Sequence, residues 1–223
     1  CDISSVSPAP PTVVLKKGAV VGTSKQFNGQ SFVFGITEDK SVSVVDGIAQ
    51  FDEVEVYEGT MIEQDFIYSS RNKFQKFILS NDGIDLATLK VNVKPSPQSS
   101  VSLTYARQDD LFDNNSGTTI TGDSPIYFIQ EVEDEQYEII FGDGIFGKAL
   151  QDGNQILVSY IKTKGESGNG ISNFSFSGKL VYTRNDSTVN VTSGISLVTA
   201  NESSSGGQAI VSTESVKKYA PQV

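Results

Sequence analysis

The chain has 223 residues, with 17 basic and 27 acidic side chains, and its formal net charge is −10 at pH 7. It contains no histidine, no tryptophan and a single cysteine, Cys1. These counts exclude Ser-His-Asp and Cys-His catalysis within the chain, cysteine/histidine zinc sites and an intrachain disulfide. Because an acidic surface repels a phosphate backbone, we expect no nucleic-acid partner.

The hydropathy pattern contains neither a membrane span nor a targeting segment. No apolar run approaches the roughly 20 residues that a spanning helix needs, and no signal peptide is recognisable. We therefore expect no membrane partner. The sequence begins at Cys1 and ends just after Ala220-Pro221, which leads us to expect a piece of a longer polypeptide.

Alternating apolar and polar residues predict strands along the first half of the chain. Residues 1–12 contain three prolines among Ser and Ala and are expected to form an extended arm or linker. Residues 13–97 are assigned to a first β-rich domain. Its predicted strands, the first of which starts at the end of the arm, are residues 12–16, 31–36, 41–45, 48–57, 61–68, 73–79 and 84–93.

Asp-Gly pairs punctuate these runs. Asp46-Gly47 lies between two alternating segments, which is a strong hairpin signal, and a bulge is expected at Asp52-Glu53 in the strand that follows. The other Asp-Gly pairs begin at Asp82, Asp143 and Asp152. None has the intervening hydroxyl residue of an aspartic-protease dyad, so we interpret all of them as hairpin turns.

The second half of the chain continues the β pattern after Pro95 and Pro97, which predict a domain boundary or a long crossover. Residues 98–202 are assigned to a second β-rich region, with predicted strands at 101–107, 125–131, 136–141, 155–163, 174–176, 179–183, 188–192 and 195–199. Residues 203–223 are expected to form a Gly/Ser linker and a terminal helix that leads to absent domains. This helix covers 208–219, or starts four or five residues later if Ser212-Thr-Glu-Ser215 is its cap. The predicted fold class is mainly β: antiparallel sheets in one large or two smaller sandwich-like domains, with one short helix near the C-terminus.

The segment 141–148 is Phe-Gly-Asp-Gly-Ile-Phe-Gly-Lys and superficially matches two nucleotide-binding motifs. Gly142, Gly144 and Gly147 fit G-x-G-x-x-G, and the segment nearly fits a Walker loop. Both motifs need a helix whose N-terminus faces the phosphates, whereas here turn residues and then a predicted strand follow. We therefore interpret the glycines as tight connections that supply positive φ, and expect no cofactor.

Acidic residues suggest no other site. Calcium ligands could come from residues 131–135 or from Asp109, Asp110, Asp113 and Asn115, but neither group has EF-hand spacing, and surface loops are the simpler interpretation. A glycosidase carboxylate pair cannot be placed from the sequence, and the usual tryptophan sugar platform is missing. We expect no metal site, no catalytic residues and no enzymatic activity.

Two groups of residues resemble a known family. Segments 140–148, 153–160 and 163–169 follow the pattern of the baseplate wedge proteins of contractile-tailed (T4-like) bacteriophages, the baseplate J-like family: a Phe-Gly-Asp-Gly turn, a glycine, a strand ending in Tyr-x-x-Thr, then Gly and Gly-Asn. A second group is similar to the family's Gly-Gly…Glu-Ser…Lys…Ala-Pro segment and consists of Gly206-Gly207, Glu214-Ser215, Lys217 and Ala220-Pro221. Together they cover residues 137–221.

The resemblance implies a structural role in a virion. Such proteins form an inner ring of the tail baseplate as dimers clamped between other wedge proteins, and they carry the change that triggers sheath contraction. The resemblance thus implies a homodimer within a larger ring, assembled in the host cytoplasm. The residues expected to shape its turns are Phe141, Gly142, Asp143, Gly144, Gly147, Gly168, Asn169, Gly206 and Gly207, with Asp143 hydrogen-bonded within its own turn.

The residues alone leave an alternative open. Eight tyrosines and a series of strand-sized segments are also compatible with a β-sandwich binding or adhesion module, for example one that binds carbohydrate.

Overall fold

The computed structural model describes residues 1–108, 120–132, 136–198 and 202–208, and it confirms a mainly β protein. The helix expected over residues 208–219 lies outside the described residues, except for Gln208. The strands of the described parts are β1 Thr12–Leu15, β2 Gly18–Thr23, β3 Val33–Ile36, β4 Lys40–Val45, β5 Ile48–Ala49, β6 Tyr57–Glu58, β7 Thr60–Ile67, β8 Phe77–Leu79, β9 Ile84–Lys94, β10 Leu103–Arg107, β11 Ile126–Glu131, β12 Tyr137–Phe141, β13 Gln155–Lys162, β14 Phe174–Phe176, β15 Leu180–Arg184 and β16 Ser187–Asn190.

The chain divides into two compact units. One comprises Cys1–Met61 and the described residues after Tyr160, and the other comprises the described residues of Ile62–Tyr160. This division differs from the boundary expected at residues 95–100, because β9 and β10 pair across that segment with Leu103 opposite Val93. The two prolines lie in the connection between these strands, where no ladder donor is needed.

The first unit contains two sheets around one core. The strand orders are β16-β15-β1-β4-β5 and β14-β2-β3-β6. Val13 and Leu180 from the first sheet and Val20 and Phe34 from the second belong to one buried apolar cluster. Two sheets that share an apolar core form a two-layer, sandwich-like arrangement.

The N-terminal residues belong to this first unit and are not an extended arm. Asp2 bridges to Ile48 and donates its backbone N–H to Gly194 O at 2.7 Å. Ile3 is only 2% exposed and lies in the unit's core. Burial of this side chain and pairing of the backbone hold the segment in place despite its proline content.

The second unit contains one seven-stranded sheet in the order β7-β13-β9-β10-β11-β12-β8, which nearly closes into a barrel. The outermost strands approach each other, since Gln64 Nε2 on β7 donates to Ile78 O on β8 at 3.1 Å. The pairs β9–β10, β11–β12 and β12–β8 are antiparallel, whereas β10 and β11 are parallel. Tyr127 and Leu79 lie in its buried core.

Three strand assignments differ from the structure. The strand expected over 195–199 does not form in the described part of that range, because residues 195–198 belong to no strand. A strand was expected over 48–57, but only β5 and β6 at its ends pair, and Glu53 has φ 48°. β5 pairs with β4 and β6 with β3, so the intervening residues cross from one sheet to the other. β2 was not predicted because its sequence, Gly-Ala-Val-Val-Gly-Thr, does not alternate apolar and polar residues; in the structure its pairing with β3 shifts register between Ala19 and Val21.

Candidate functional site

The Phe-Gly-Asp-Gly segment forms a self-braced loop after β12 in the second unit. Asp143 Oδ1 accepts the backbone N–H of Ile145 at 2.8 Å and that of Phe146 at 2.9 Å. The N–H donors of Phe146 and Ile145 hold the pKa of Asp143 below its usual value, because they stabilise the charged carboxylate. The local role expected of Asp143 is therefore confirmed.

The motif glycines serve two different purposes. Gly144 and Gly147 have φ of +90° and +82°, a backbone region that strongly favours glycine, and Gly144 N donates to Gly147 O at 3.0 Å. Gly142 does not have positive φ, contrary to expectation. Its constraint is steric: a Cβ there would lie 2.5 Å from Phe146 O and closer still to the Gly147 carbonyl.

A second loop, residues 121–124, supports the first. Gly147 N donates to Thr121 O at 3.0 Å, and Lys148 N donates to Ser124 O at 2.7 Å. Gly122 packs so closely on the Gly144 carbonyl that a Cβ would overlap it. The sequence predicts a polar loop over residues 108–123, but nothing in its composition indicates these contacts with the Phe-Gly-Asp-Gly loop.

The braced loop presents apolar side chains. Ile145 is 71% exposed and Phe146 is 49% exposed at its tip. At the base, the ring of Phe141 packs edge-on against Phe77 and Tyr105, each with centroids 5.5 Å apart. The loop is thus anchored by one aromatic residue and exposes another.

The remaining motif residues form a separate cluster in the first unit, which we call the clasp: Gly165–Gly168, Asn169, Ser204 and Gly207. Asn169 Nδ2 donates to Gly207 O at 2.8 Å, and Gly207 N donates to Asn169 Oδ1 at 2.9 Å. Gly165–Gly168 is a 3-10 helical turn, and a Cβ at Gly207 would lie 2.5 Å from Gly165 O. Gly206, at φ +87°, supplies the bend just before this contact.

Ser204 closes the clasp. Ile171 N donates to Ser204 Oγ at 2.9 Å, Ser204 Oγ donates to Gly168 O at 2.5 Å, and Gly170 N donates to Ser204 O at 2.8 Å. Neither Ser204 nor its bonds were foreseen, because serine in a Gly/Ser-rich stretch carries no specific signal.

Glu58 holds the other side of the clasp. Its Oε2 accepts Thr163 Oγ1 at 2.6 Å and Lys164 N at 2.9 Å, and a Cβ at Gly168 would lie 2.6 Å from Glu58 Cγ. Position 168 must therefore be glycine because Glu58, more than a hundred positions earlier in the chain, occupies the space that a side chain would need.

Only one Asp-Gly pair confirms the hairpin interpretation. Asp46 and Gly47 have φ of 50° and 78° between the paired β4 and β5. The pairs at Asp82, Asp143 and Asp152 connect strands that are not sheet neighbours. Asp152 Oδ1 instead accepts Ser70 N at 2.7 Å and Ser70 Oγ at 3.0 Å, a long-range contact that a hairpin pattern cannot foresee.

The structure thus brings Gly168, Asn169 and Gly207 together and leaves Phe141, Gly142, Asp143, Gly144 and Gly147 in another unit. The Phe-Gly-Asp-Gly loop is followed by strand β13, whereas a nucleotide-binding motif needs a helix at this position.

Within the described parts of the chain, no three His, Cys, Asp or Glu side chains are grouped to hold a metal ion. The calcium candidates Asp109, Asp110, Asp113 and Asn115 lie outside them, as do residues 133–135. No helix among the described residues is long and apolar enough to cross a membrane.

No protein-family model matches the chain, and no curated protein matches it.

Proposed function

We propose that the chain is a structural component of a contractile phage tail baseplate wedge. It acts through protein–protein interfaces in ring assembly and in the change that triggers sheath contraction, and not as an enzyme. Its partners are other wedge proteins and a second copy of itself within a larger ring, and its location is the virion.

The observation that carries the proposal is the clasp. The resemblance to baseplate wedge proteins rests on two separate groups of residues, one ending at Asn169 and the other starting at Gly206. In the structure Asn169 and Gly207 form a reciprocal pair of hydrogen bonds. The two groups therefore meet in one contact, and each constrains the other, because a side chain at Gly207 would displace Asn169. This contact explains why the residues of both groups would occur together in one family.

The exposed tip of the Phe-Gly-Asp-Gly loop gives further support. Apolar side chains on a loop fixed by hydrogen bonds offer contact area at little cost in conformational entropy. Ile145 and Phe146 have these properties, and we assign them to the interface with a wedge partner.

The first test is peptide mass spectrometry of purified tails and baseplates. The tryptic peptide of residues 77–90 is a convenient marker. We expect it at a stoichiometry similar to that of other wedge components. Absence from intact particles would contradict the proposal and favour the binding-module alternative, which saturable sugar binding in calorimetry would then support.

A variant pair tests the interface directly. Phe146→Ser should leave the unfolding midpoint nearly unchanged, because the ring is half exposed, but should reduce incorporation into baseplates. Phe74→Ser is the control: Phe74 is 89% exposed on another loop of the same unit. Equal incorporation of both variants would remove Phe146 from the interface.

A further inference from the structure

The sequence contains two Asn-Gly pairs, Asn28-Gly29 and Asn169-Gly170. In such pairs the amide nitrogen of the glycine can attack the asparagine side-chain carbonyl, because glycine has no Cβ to obstruct the approach. Reaction requires that the peptide plane between the two residues can rotate and that the side-chain amide is not held elsewhere. The structure places the two pairs in opposite situations.

Asn28 and Gly29 form the tip of a two-residue turn. Phe27 N donates to Gln30 O at 2.8 Å and Gln30 N donates to Phe27 O at 3.0 Å, so both closing bonds flank the Asn28–Gly29 peptide. Asn28 and Gly29 have φ of 51° and 77°, and a Cβ at Gly29 would meet nothing within 4 Å. Neither closing bond uses the Gly29 nitrogen, and the space beside Gly29 is open.

The side chain of Asn28 is exposed, and within the described residues no hydrogen bond holds its amide. Its φ is already positive, in the region that asparagine and glycine tolerate. Attack by the Gly29 nitrogen then needs rotation of one peptide plane and of the Asn28 side chain.

Asn169 is held at both ends of its amide. Its Nδ2 donates to Gly207 O and its Oδ1 accepts Gly207 N, at 2.8 and 2.9 Å. Gly170 N, which would be the attacking atom, donates to Ser204 O at 2.8 Å. The clasp must open before this pair can react.

We propose that Asn28 is a site of spontaneous deamidation and that the clasp protects Asn169 from the same reaction. The Gly29 nitrogen forms a bond to Cγ of Asn28, the Cγ–Nδ2 bond breaks, and Nδ2 leaves as ammonia with the proton from Gly29. The product is a five-membered succinimide. Water then opens either carbonyl of the ring, which yields aspartate or isoaspartate at position 28 with no change in oxidation state.

Both products add a negative charge at the turn, and isoaspartate also adds one carbon to the backbone. The longer backbone is incompatible with the Phe27–Gln30 pairing of a two-residue turn. Phe27 packs edge-on near Phe32, with centroids 6.3 Å apart, so modification at the tip acts on a side chain at the edge of the first unit's core.

The test is a time course of the folded chain in a mildly alkaline buffer, followed by trypsin digestion and mass spectrometry. The peptides of residues 26–40 and 165–179 carry Asn28 and Asn169, and fragmentation distinguishes Asn169 from Asn173. We expect Asn28 to react faster by on the order of tenfold or more, which corresponds to about 1.4 kcal/mol of barrier. Chromatography should separate the aspartate and isoaspartate forms.

Two controls distinguish the effect of the folded structure on the deamidation rates from that of the local sequence. In denaturant the two rates should converge, because both sites are then Asn-Gly in an unfolded chain. Gly207→Ala should raise the rate at Asn169 and leave Asn28 unchanged. Equal rates in the folded chain, or the same difference in denaturant, would overturn the proposal.

Discussion

At the scale of single residues, the glycines of the Phe-Gly-Asp-Gly loop can be distinguished by substitution. Gly142→Ala introduces a steric overlap with the Gly147 carbonyl, whereas Gly144→Ala introduces strain at φ +90° with only an ordinary contact to Ala149. We expect Gly142→Ala to cost about 1–3 kcal/mol, as overpacking does, and Gly144→Ala about 1–2 kcal/mol. Urea unfolding midpoints provide the measurement.

Gly153→Ala is the matched control for that comparison. Gly153 has φ +84° in the same unit and no atom within 4 Å of a Cβ, so it reports strain alone. Gly144→Ala should match it, and Gly142→Ala should be the most costly of the three. A Gly142→Ala effect smaller than both would refute the steric account.

Asp143 gives a prediction about pH. Hydrogen bonds from the Phe146 and Ile145 amides hold its pKa below the ordinary 3.8. A lowered pKa means that the ionised carboxylate stabilises the folded chain; this contribution is complete above pH 3.8 and is lost as the pH falls through the folded-state pKa. Asp143→Asn keeps the shape but cannot titrate, so its stability difference from the natural chain should shrink in acid. A difference that is constant with pH would contradict this.

At the scale of elements, the clasp joins the turn after β13 to residues 204–207. Gly207→Ala forces a Cβ to within 2.5 Å of Gly165 O, while Gly206→Ala meets no atom and adds only strain at φ +87°. We expect Gly207→Ala to lower hydrogen-exchange protection at the Gly170 and Ile171 amides, both of which donate to Ser204. Gly206→Ala should preserve that protection. Similar loss in both variants would show that backbone strain, and not the clasp contact, controls this region.

At the scale of the whole molecule, the two compact units have separate apolar cores. Leu15 lies in the core of the first unit and Leu79 in the core of the second, with 3% and 0% exposure. Each Leu→Ala substitution should cost about 2–5 kcal/mol. We expect hydrogen exchange to rise mainly in the unit that carries the substitution. A uniform rise along the chain would indicate that the units unfold as one.

The sequence by itself determined the local features of this protein. Alternating residues gave most strands, because side chains on a strand alternate between core and solvent. Asp46-Gly47 indicated its hairpin, and the local hydrogen bonding of Asp143 followed from its position before glycine. Strands, hairpin turns and hydrogen bonds within a turn depend on residues that are close together in the sequence, so a local sequence pattern is enough to predict them.

Tertiary structure alone decided which segments meet. The unit boundary falls within β7 and β13 and not at the prolines, because long-range strand pairing and burial override local composition. Three glycines are required by close approach of another segment: the Gly147 carbonyl lies against Gly142, Glu58 against Gly168, and Gly165 against Gly207. Glu58 and Ser204 lie far from their partners along the chain, and only the fold brings them into hydrogen-bonding distance.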